Sequence, residues 1–331
     1  MDVISREEFE ELLGAFALDA CEADEMAAMD RFMAAHPEVV AEVERLRTAA
    51  AGLAASDALA PPRDVRTSVF ERARARRAPR EQAAVEVHAE VEATLVELLD
   101  DLPASALGTT TLNGLTVRDL IAHLAAMESL VAMWLGVPTL PEVTEEGVEA
   151  RTAEVVRMTS AWGPADVVAL WRRSVAAIRE AAPGTETCPW FGSDMPMDLV
   201  LLVRAFETWT HTDDIRRALG RALDVPSASA LHTMAEGSMT MVPSALDASG
   251  LARPGRSARI VLTGAGGGDW TVPMNVDADA GVPDVTLTLP VVDWCRRFSD
   301  RMGADDLDVL VHGDRRLAAD VVAAAPIFAG L

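Results

Sequence analysis

Two residues of one segment have types and spacing that could do chemistry. Glu207 and His211 are four residues apart, so both side chains lie on one face if the segment is helical. The rest of that face is apolar, which predicts that the carboxylate and the imidazole point into a helical core; its other members are Val200, Val203, Ile215 and Ala218. Taken alone, this helix is explained more simply by a Glu–His hydrogen bond near the surface.

A third residue changes this interpretation. His123 lies in line with apolar residues of another predicted helix, so its side chain also faces inward. Two imidazoles and one carboxylate would supply three protein ligands and leave a fourth position open, as in catalytic zinc sites. Fe, Mn, Ni and Co accept the same ligands. We therefore predict a divalent metal site, with Asp214 orienting the ring of His211 from behind.

The other histidines and a glycine-rich run are better explained by structural roles than by chemistry. Residues 264–268 join two predicted strands instead of opening a helix, so we predict a hairpin and not a phosphate-binding loop. The remaining histidines have no comparable setting, and we predict that they are surface or capping residues: His36, His88, His232 and His312.

Composition excludes several classes of protein. The 331 residues include no Lys and no Tyr, which rules out Schiff-base lysines and tyrosine acids. The net charge of −23 argues against nucleic acid as a partner. The three cysteines lie far apart in the sequence, so no disulfide framework is expected. No run is apolar enough to span a membrane, and residues 1–10 are too acidic for a signal peptide. We expect a cytoplasmic protein.

The elements that must position these side chains are mainly helical. Four long helices are predicted over 82–101, 116–134, 165–181 and 198–219, which suggests an antiparallel four-helix bundle. The last 75 residues alternate strands and helices and predict a small α/β domain. We divide the chain into a helical module (1–60), an Arg-rich linker (61–81), the bundle (82–225), a connecting helix (226–256) and the C-terminal domain (257–331). The arginines of the linker could form an anion or partner site, but a solvated helix is the favoured interpretation.

Three segments resemble the mycothiol-dependent maleylpyruvate isomerase family. They are LTVRDLIAHLAAMESL (115–130), RAFETWTHTDDIRRALGRA (204–222) and VTLTLPVVDWCRRFSDRMGADDLDVLVHGD (285–314), and the resemblance extends over residues 84–330. It implies a DinB-like four-helix bundle that binds a divalent metal, usually zinc, followed by a small α/β domain. The ligands it implies are His123, Glu207 and His211. The family's C-terminal Arg is best matched by Arg301, and the neighbouring alternatives are Arg296 and Arg297.

The resemblance also implies mycothiol as the thiol cofactor. A thiol that coordinates the metal loses its proton, adds to an activated cis double bond, and is eliminated after rotation to give the trans product. The same site could instead transfer the thiol to an electrophile. In this interpretation Glu207 is a ligand and not a general base. Arg301 would grip a carboxylate of the substrate or thiol, preferably in a bidentate manner.

Residues 1–60 resemble a helical anti-sigma-factor zinc-finger domain, notably in ELLGAFALDACEADE. The finger requires His-x3-Cys-x2-Cys, and this sequence has Phe32, His36 and Val39 at those places, so we expect its zinc site to be lost. The resemblance suggests a protein partner for the module. It also raises an alternative function, a cytoplasmic regulator that binds a sigma factor through residues 1–60 and senses metal or thiol through the bundle.

Overall fold

A computed structural model of the chain describes residues 4–18, 20–21, 23–43, 45–46, 48–49, 63–111 and 114–328. The chain divides into two compact units, Met1–Ala73 and Arg74–Leu331. This division falls within the segment predicted as a linker, although the five-part organisation of the chain stays a prediction. Among the described residues, none of the helices combines the length and the apolar character needed to cross a bilayer.

The first unit contains helices α1 (Arg6–Ala17) and α2 (Ala23–Ala35). A capping box begins α1, because Ser5 Oγ accepts from the Glu8 amide and Glu8 accepts from the Ser5 amide. A 3-10 turn over Pro37–Val39 follows α2. Apolar side chains form a small core between these elements: Phe9, Leu13, Phe16, Met29, Phe32, Val39 and Val43.

Two of the three positions that would carry zinc-finger ligands belong to this core. Phe32 and Val39 are almost fully buried among apolar neighbours, and the ring of His36 stacks on Phe32 with 4.4 Å between the ring centroids. At these two positions the module is therefore stabilised by hydrophobic packing. The resemblance to the anti-sigma-factor domain stays a prediction.

The second unit is built on a helical bundle, as predicted. Its long helices are α3 (Arg63–Asp100, which begins within the first unit), α4 (Val117–Trp134), α6 (Pro164–Ala181) and α7 (Met197–Ala218). Helix α4 packs against α6 and α7, and Thr116 caps its start by accepting from the Asp119 amide at 3.2 Å. The backbone is helical from Arg63 onward, through most of the segment predicted as a linker.

Two elements of this unit were not predicted. Helix α5 (Val148–Thr159) packs on α4, and a short antiparallel hairpin is formed by β1 (Thr187–Trp190) and β2 (Ser193–Pro196). The hairpin immediately precedes α7, and α5 lies beside the middle of α4. Both therefore border the helices that carry the predicted ligands.

Helix α8 (Ala228–Ala248) leads to the C-terminal region. The elements of this region are β3 (Ser257–Thr263), β4 (Gly268–Pro273), β5 (Val285–Pro290), α9 (Val291–Phe298), β6 (Leu310–Gly313) and α10 (Arg315–Ala324). The four strands form one sheet with the order β4-β3-β5-β6, in which β3 and β5 are parallel and the other pairs are antiparallel. The glycine-rich run is a hairpin between β3 and β4, as predicted, with Leu262 opposite Gly268. The fold is therefore mainly α with a small α/β part, as the sequence predicts.

Candidate metal centre

The three predicted ligands come together between α4 and α7. His123 projects from α4, and Glu207 and His211 project from successive turns of α7. The Oε2 atom of Glu207 lies 3.2 Å from Nε2 of His211 and 3.7 Å from Nε2 of His123. The three ligand atoms all lie within 4.8 Å of one another, and within the described part of the chain this is the one such group of three or more His, Cys, Asp or Glu side chains.

The second nitrogen of each imidazole is already engaged. Nδ1 of His211 lies 3.1 Å from Oδ2 of Asp214, the partner predicted for it. Nδ1 of His123 lies 2.8 Å from the hydroxyl oxygen of Thr152 on α5. When both Nδ1 atoms carry the proton, both Nε2 lone pairs point toward the carboxylate of Glu207. Two imidazole nitrogens and a carboxylate oxygen at these separations fit a divalent cation such as zinc.

Burial and charge set the protonation of the group. Burial raises the pKa of Glu207, but hydrogen bonding to His123 and His211 outweighs burial and holds that pKa well below its usual value. Burial lowers the pKa of His211, and the carboxylates of Asp214 and Glu207 more than reverse this effect. Burial dominates at His123 and lowers its pKa. Glu207 is therefore an anion at neutral pH, and His123 is a neutral imidazole.

Arg301 reaches this centre through Asp214. Its Nε atom lies 3.0 and 3.1 Å from the two carboxylate oxygens, and its Nη2 atom lies 2.9 Å from Oδ2. Its Nη1 atom donates to the carbonyl oxygen of Ser299 at 3.2 Å. The fork of the guanidinium is therefore occupied by Asp214, which differs from the bidentate grip on a substrate that we expected. A catalytic role for Arg301 stays a prediction.

The two alternative arginines, Arg296 and Arg297, bind partners outside this centre. Arg297 is buried and donates to the carbonyl oxygens of Val322 and Met302. Arg296 lies 3.4 Å from Asp213 and over the ring of Trp209. Arg301 is therefore the member of the three that contacts a partner of the ligand His211.

A small cleft opens beside the centre. Glu207 and Arg301 line it together, so a molecule that enters can reach both the ligand carboxylate and the guanidinium. The other lining residues combine apolar walls with two hydroxyls: Val203, Phe206, Thr210, Phe298 and Ser299. Small molecules are typically bound in such clefts, where a few polar groups fix their orientation.

The prediction for His88 is wrong. We placed it at the surface because its neighbours in α3 include several charged residues, but it lies on the inward face with Ala84, Val91 and Leu95 and is 2% exposed. Burial, followed by the nearby charges of Arg204 and Arg179, lowers its pKa to about 3. His232 and His312 are exposed, as predicted, and His36 is half-buried.

A buried ion pair beside the centre was not predicted from the sequence. Glu128 on α4 and Arg204 on α7 are 0% and 1% exposed, with 3.1 Å between Oε1 and Nε. Arg204 precedes Glu207 by three residues and therefore shares its inward face. This spacing was the available signal, because an arginine on an inward-facing stripe needs an acidic partner.

The match to a known domain covers most of the bundle. Residues 88–216 match the family model described as the mycothiol maleylpyruvate isomerase N-terminal domain. The matched range contains His123, Glu207 and His211, and it ends before the C-terminal segment that includes Arg301.

The chain is similar to a crystal structure of the mycothiol-dependent maleylpyruvate isomerase, with 19% sequence identity, and to a histidine-to-alanine variant of that enzyme, with 18% identity. Each likeness covers 70% of this chain and 92% of the other, with a TM-score of 0.47. No curated protein matches the chain.

Proposed function

We propose that the protein is a metal-dependent enzyme that uses mycothiol as a nucleophile. In this proposal it isomerises an activated electrophile similar to maleylpyruvate or conjugates the thiol to it. The observation that carries the proposal is the convergence of His123, Glu207 and His211 inside a domain of the mycothiol maleylpyruvate isomerase type. Zinc is the favoured metal, because two imidazoles and a carboxylate with an open fourth position are a common catalytic zinc set.

The chain's own residues would divide the work. His123, Glu207 and His211 would hold the cation, which when bound acidifies a coordinating thiol and acts as a Lewis acid. Asp214 would keep the ring of His211 in its ligating orientation. The apolar walls formed by Val203, Phe206 and Phe298 would exclude water from the reacting atoms.

The charge around the cleft favours an anionic electrophile. Asp214 is shared between Arg301 and Arg217, which lies 3.4 Å from it, so two guanidiniums surround one carboxylate. A divalent cation beside Glu207 would add further positive charge. A substrate that carries a carboxylate would therefore be attracted to this cleft even though the chain as a whole has a net charge of −23.

The test is to purify the protein, quantify its bound metals, and assay it with mycothiol and maleylpyruvate. A small panel of other electrophiles would separate isomerisation from thiol transfer. We expect a stoichiometric divalent metal, and a trans isomer or a thiol conjugate that forms only when both metal and mycothiol are present. Turnover that is unchanged after the metal is removed by chelation, or that needs no thiol, would refute the proposal.

A further inference from the structure

The two imidazoles of the centre have unequal supports. Nδ1 of His211 contacts the carboxylate of Asp214, which is 1% exposed and also accepts a hydrogen bond from Arg301. His123 is held by a neutral group, the hydroxyl of Thr152, with 2.8 Å between Nδ1 and Oγ1. Thr152 comes from α5, which supplies none of the three ligands. The metal centre therefore depends on a third helix.

The direction of the hydrogen bond between Thr152 and His123 decides whether His123 can act as a ligand. A neutral imidazole carries one proton, and the nitrogen without it is the nitrogen that can bind a metal. If the hydroxyl accepts from Nδ1–H, the lone pair of Nε2 faces Glu207. If the hydroxyl donates to Nδ1 instead, the proton lies on Nε2 and blocks coordination.

The position of α5 is fixed by the residue next to Thr152. Arg151 is fully buried and donates from Nε to the carbonyl oxygen of Ala126 at 2.9 Å and from Nη2 to the hydroxyl of Ser129 at 2.8 Å, both on α4. Its Nη1 atom donates to the carbonyl oxygens of Val143 and Glu145 at 3.0 and 2.8 Å. The first two bonds attach the start of α5 to the helix that carries His123, and the other two attach it to the segment just before α5. The hydroxyl of Thr152 is therefore held at a defined place behind the ring.

We propose that Thr152 is a positioning residue of the metal centre, whose hydroxyl oxygen accepts a hydrogen bond from Nδ1–H of His123 and so keeps Nε2 directed toward the metal. This inference rests on the proposed metal site. It assigns a function to α5, a helix that supplies none of the three candidate ligands. Partners of this kind typically change metal affinity by about 10- to 100-fold when they are removed.

The experiment compares three variants of the full-length protein. Thr152→Val removes the hydroxyl with little change of shape, and Thr152→Ser restores it. Thr159→Val is the matched control, because Thr159 is a buried threonine on the same helix whose hydroxyl donates to the carbonyl of Val155 and not to the centre. The dissociation constant for Zn²⁺ alone is measured by competition with a chromophoric chelator. The visible spectrum of the Co²⁺-loaded protein reports the ligand geometry, since Co²⁺ accepts the same donors.

We expect Thr152→Val to raise the Zn²⁺ dissociation constant about 10- to 100-fold and to alter the Co²⁺ spectrum. Thr152→Ser and Thr159→Val should remain within about threefold of wild type, a difference of under 1 kcal/mol. If Thr152→Val does not fold, Thr152→Ala, which also lacks the hydroxyl, replaces it. Equal Zn²⁺ affinity of wild type and Thr152→Val would overturn this inference alone, whereas a wild-type protein that binds no divalent metal would overturn the proposed function as well.

Discussion

Helices α4 and α7 carry two polar clusters on their facing sides, and the two clusters have opposite chemistry. Glu128 and Arg204 form a pair of unlike charges that is sealed from solvent. His123, Glu207 and His211 form a group in which three metal-binding atoms converge at the edge of a cleft. The same pair of helices therefore holds one ion pair that is closed to ligands and one group in which we propose that a cation binds.

The difference gives a criterion for telling a structural polar cluster from a candidate ligand-binding one. In the Glu128–Arg204 pair the opposite charges face each other and both side chains are too buried to meet a ligand, although among the described residues Oε2 of Glu128 and Nη2 of Arg204 have no hydrogen-bond partner. In the candidate ligand group Glu207 pairs with both imidazoles and also lines the cleft, so a cation that enters could replace the protons on the Nε2 atoms. Access to the cleft therefore separates the two clusters, and burial alone does not.

The largest expected effect comes from breaking the sealed pair. Arg204→Met leaves the carboxylate of Glu128 buried without a partner, and we expect it to reduce the free energy of unfolding by about 3–5 kcal/mol. Denaturant titration of the metal-free protein measures this change. The matched control is the double variant Glu128→Leu with Arg204→Met, which removes both charges and should recover most of the loss. If the double variant is as unstable as Arg204→Met, the loss of stability does not come from the unpaired carboxylate of Glu128.

A smaller effect is expected from removing one ligand of the open cluster. Full zinc sites bind with roughly 10–16 kcal/mol over four ligands, so His211→Ala should cost about 3 kcal/mol of metal binding, or about a hundredfold in affinity. Metal content after dialysis against a weak chelator measures this loss. His232→Ala, which removes an exposed histidine elsewhere in the same unit, should keep the wild-type content. Unchanged metal in His211→Ala would contradict the assignment of the centre.

Measured within one pH unit below 6.5, His88 gives the smallest and most graded effect, about 1 kcal/mol, because it is a buried imidazole outside both clusters. Its pKa is about 3 in the folded protein against 6.5 for the free side chain, so the unfolded chain takes up the proton first as the pH falls. Its contribution to stability is complete above pH 6.5 and is lost between pH 6.5 and about 3, by about 1.4 kcal/mol per pH unit.

The measurement for His88 compares wild type with His88→Gln in urea titrations at several pH values. The variant cannot take up this proton, so the difference in unfolding free energy between the two proteins should be constant above pH 6.5. Below that value it should shift progressively in favour of the variant. A difference that does not change with pH would mean that His88 is accessible to protons in the folded state.

Much of the fold and most of the ligand group could be predicted because the signals are local. The capping box at Ser5, the cap at Thr116 and the four-residue spacing of Glu207 and His211 all lie within one or two helical turns. The alignment of His123 with an apolar stripe places it inward without any knowledge of its partner. Asp214, behind the ring of His211, lies close enough in the chain to be predicted, whereas Thr152, behind the ring of His123, comes from a helix that was not predicted.

The parts that were missed lack such local signals. The buried face of α5 includes Arg151 and Thr159, so two polar residues interrupt the hydrophobic pattern that would have marked the helix. The turn of the β1–β2 hairpin consists of Phe191 and Gly192, with φ values of 44° and 87°. Such turns are usually marked by Asn-Gly in the sequence, and a phenylalanine rarely adopts a positive φ. The turn therefore has no recognisable sequence signature. Its ring packs against Trp134 and Trp190, and these tertiary contacts stabilise the turn.

The bond between Arg301 and Asp214 has a consequence for the biosynthesis of the protein. Chains are made from the N-terminus, so His123, Glu207 and His211 are all available about ninety residues before Arg301 is added. A metal bound during that interval would lie near an Asp214 carboxylate that is not yet paired with the guanidinium of Arg301. The proposed centre would therefore be able to take up metal early, but its final charge balance would be reached only when the segment after α9 has been synthesised and has folded against the bundle.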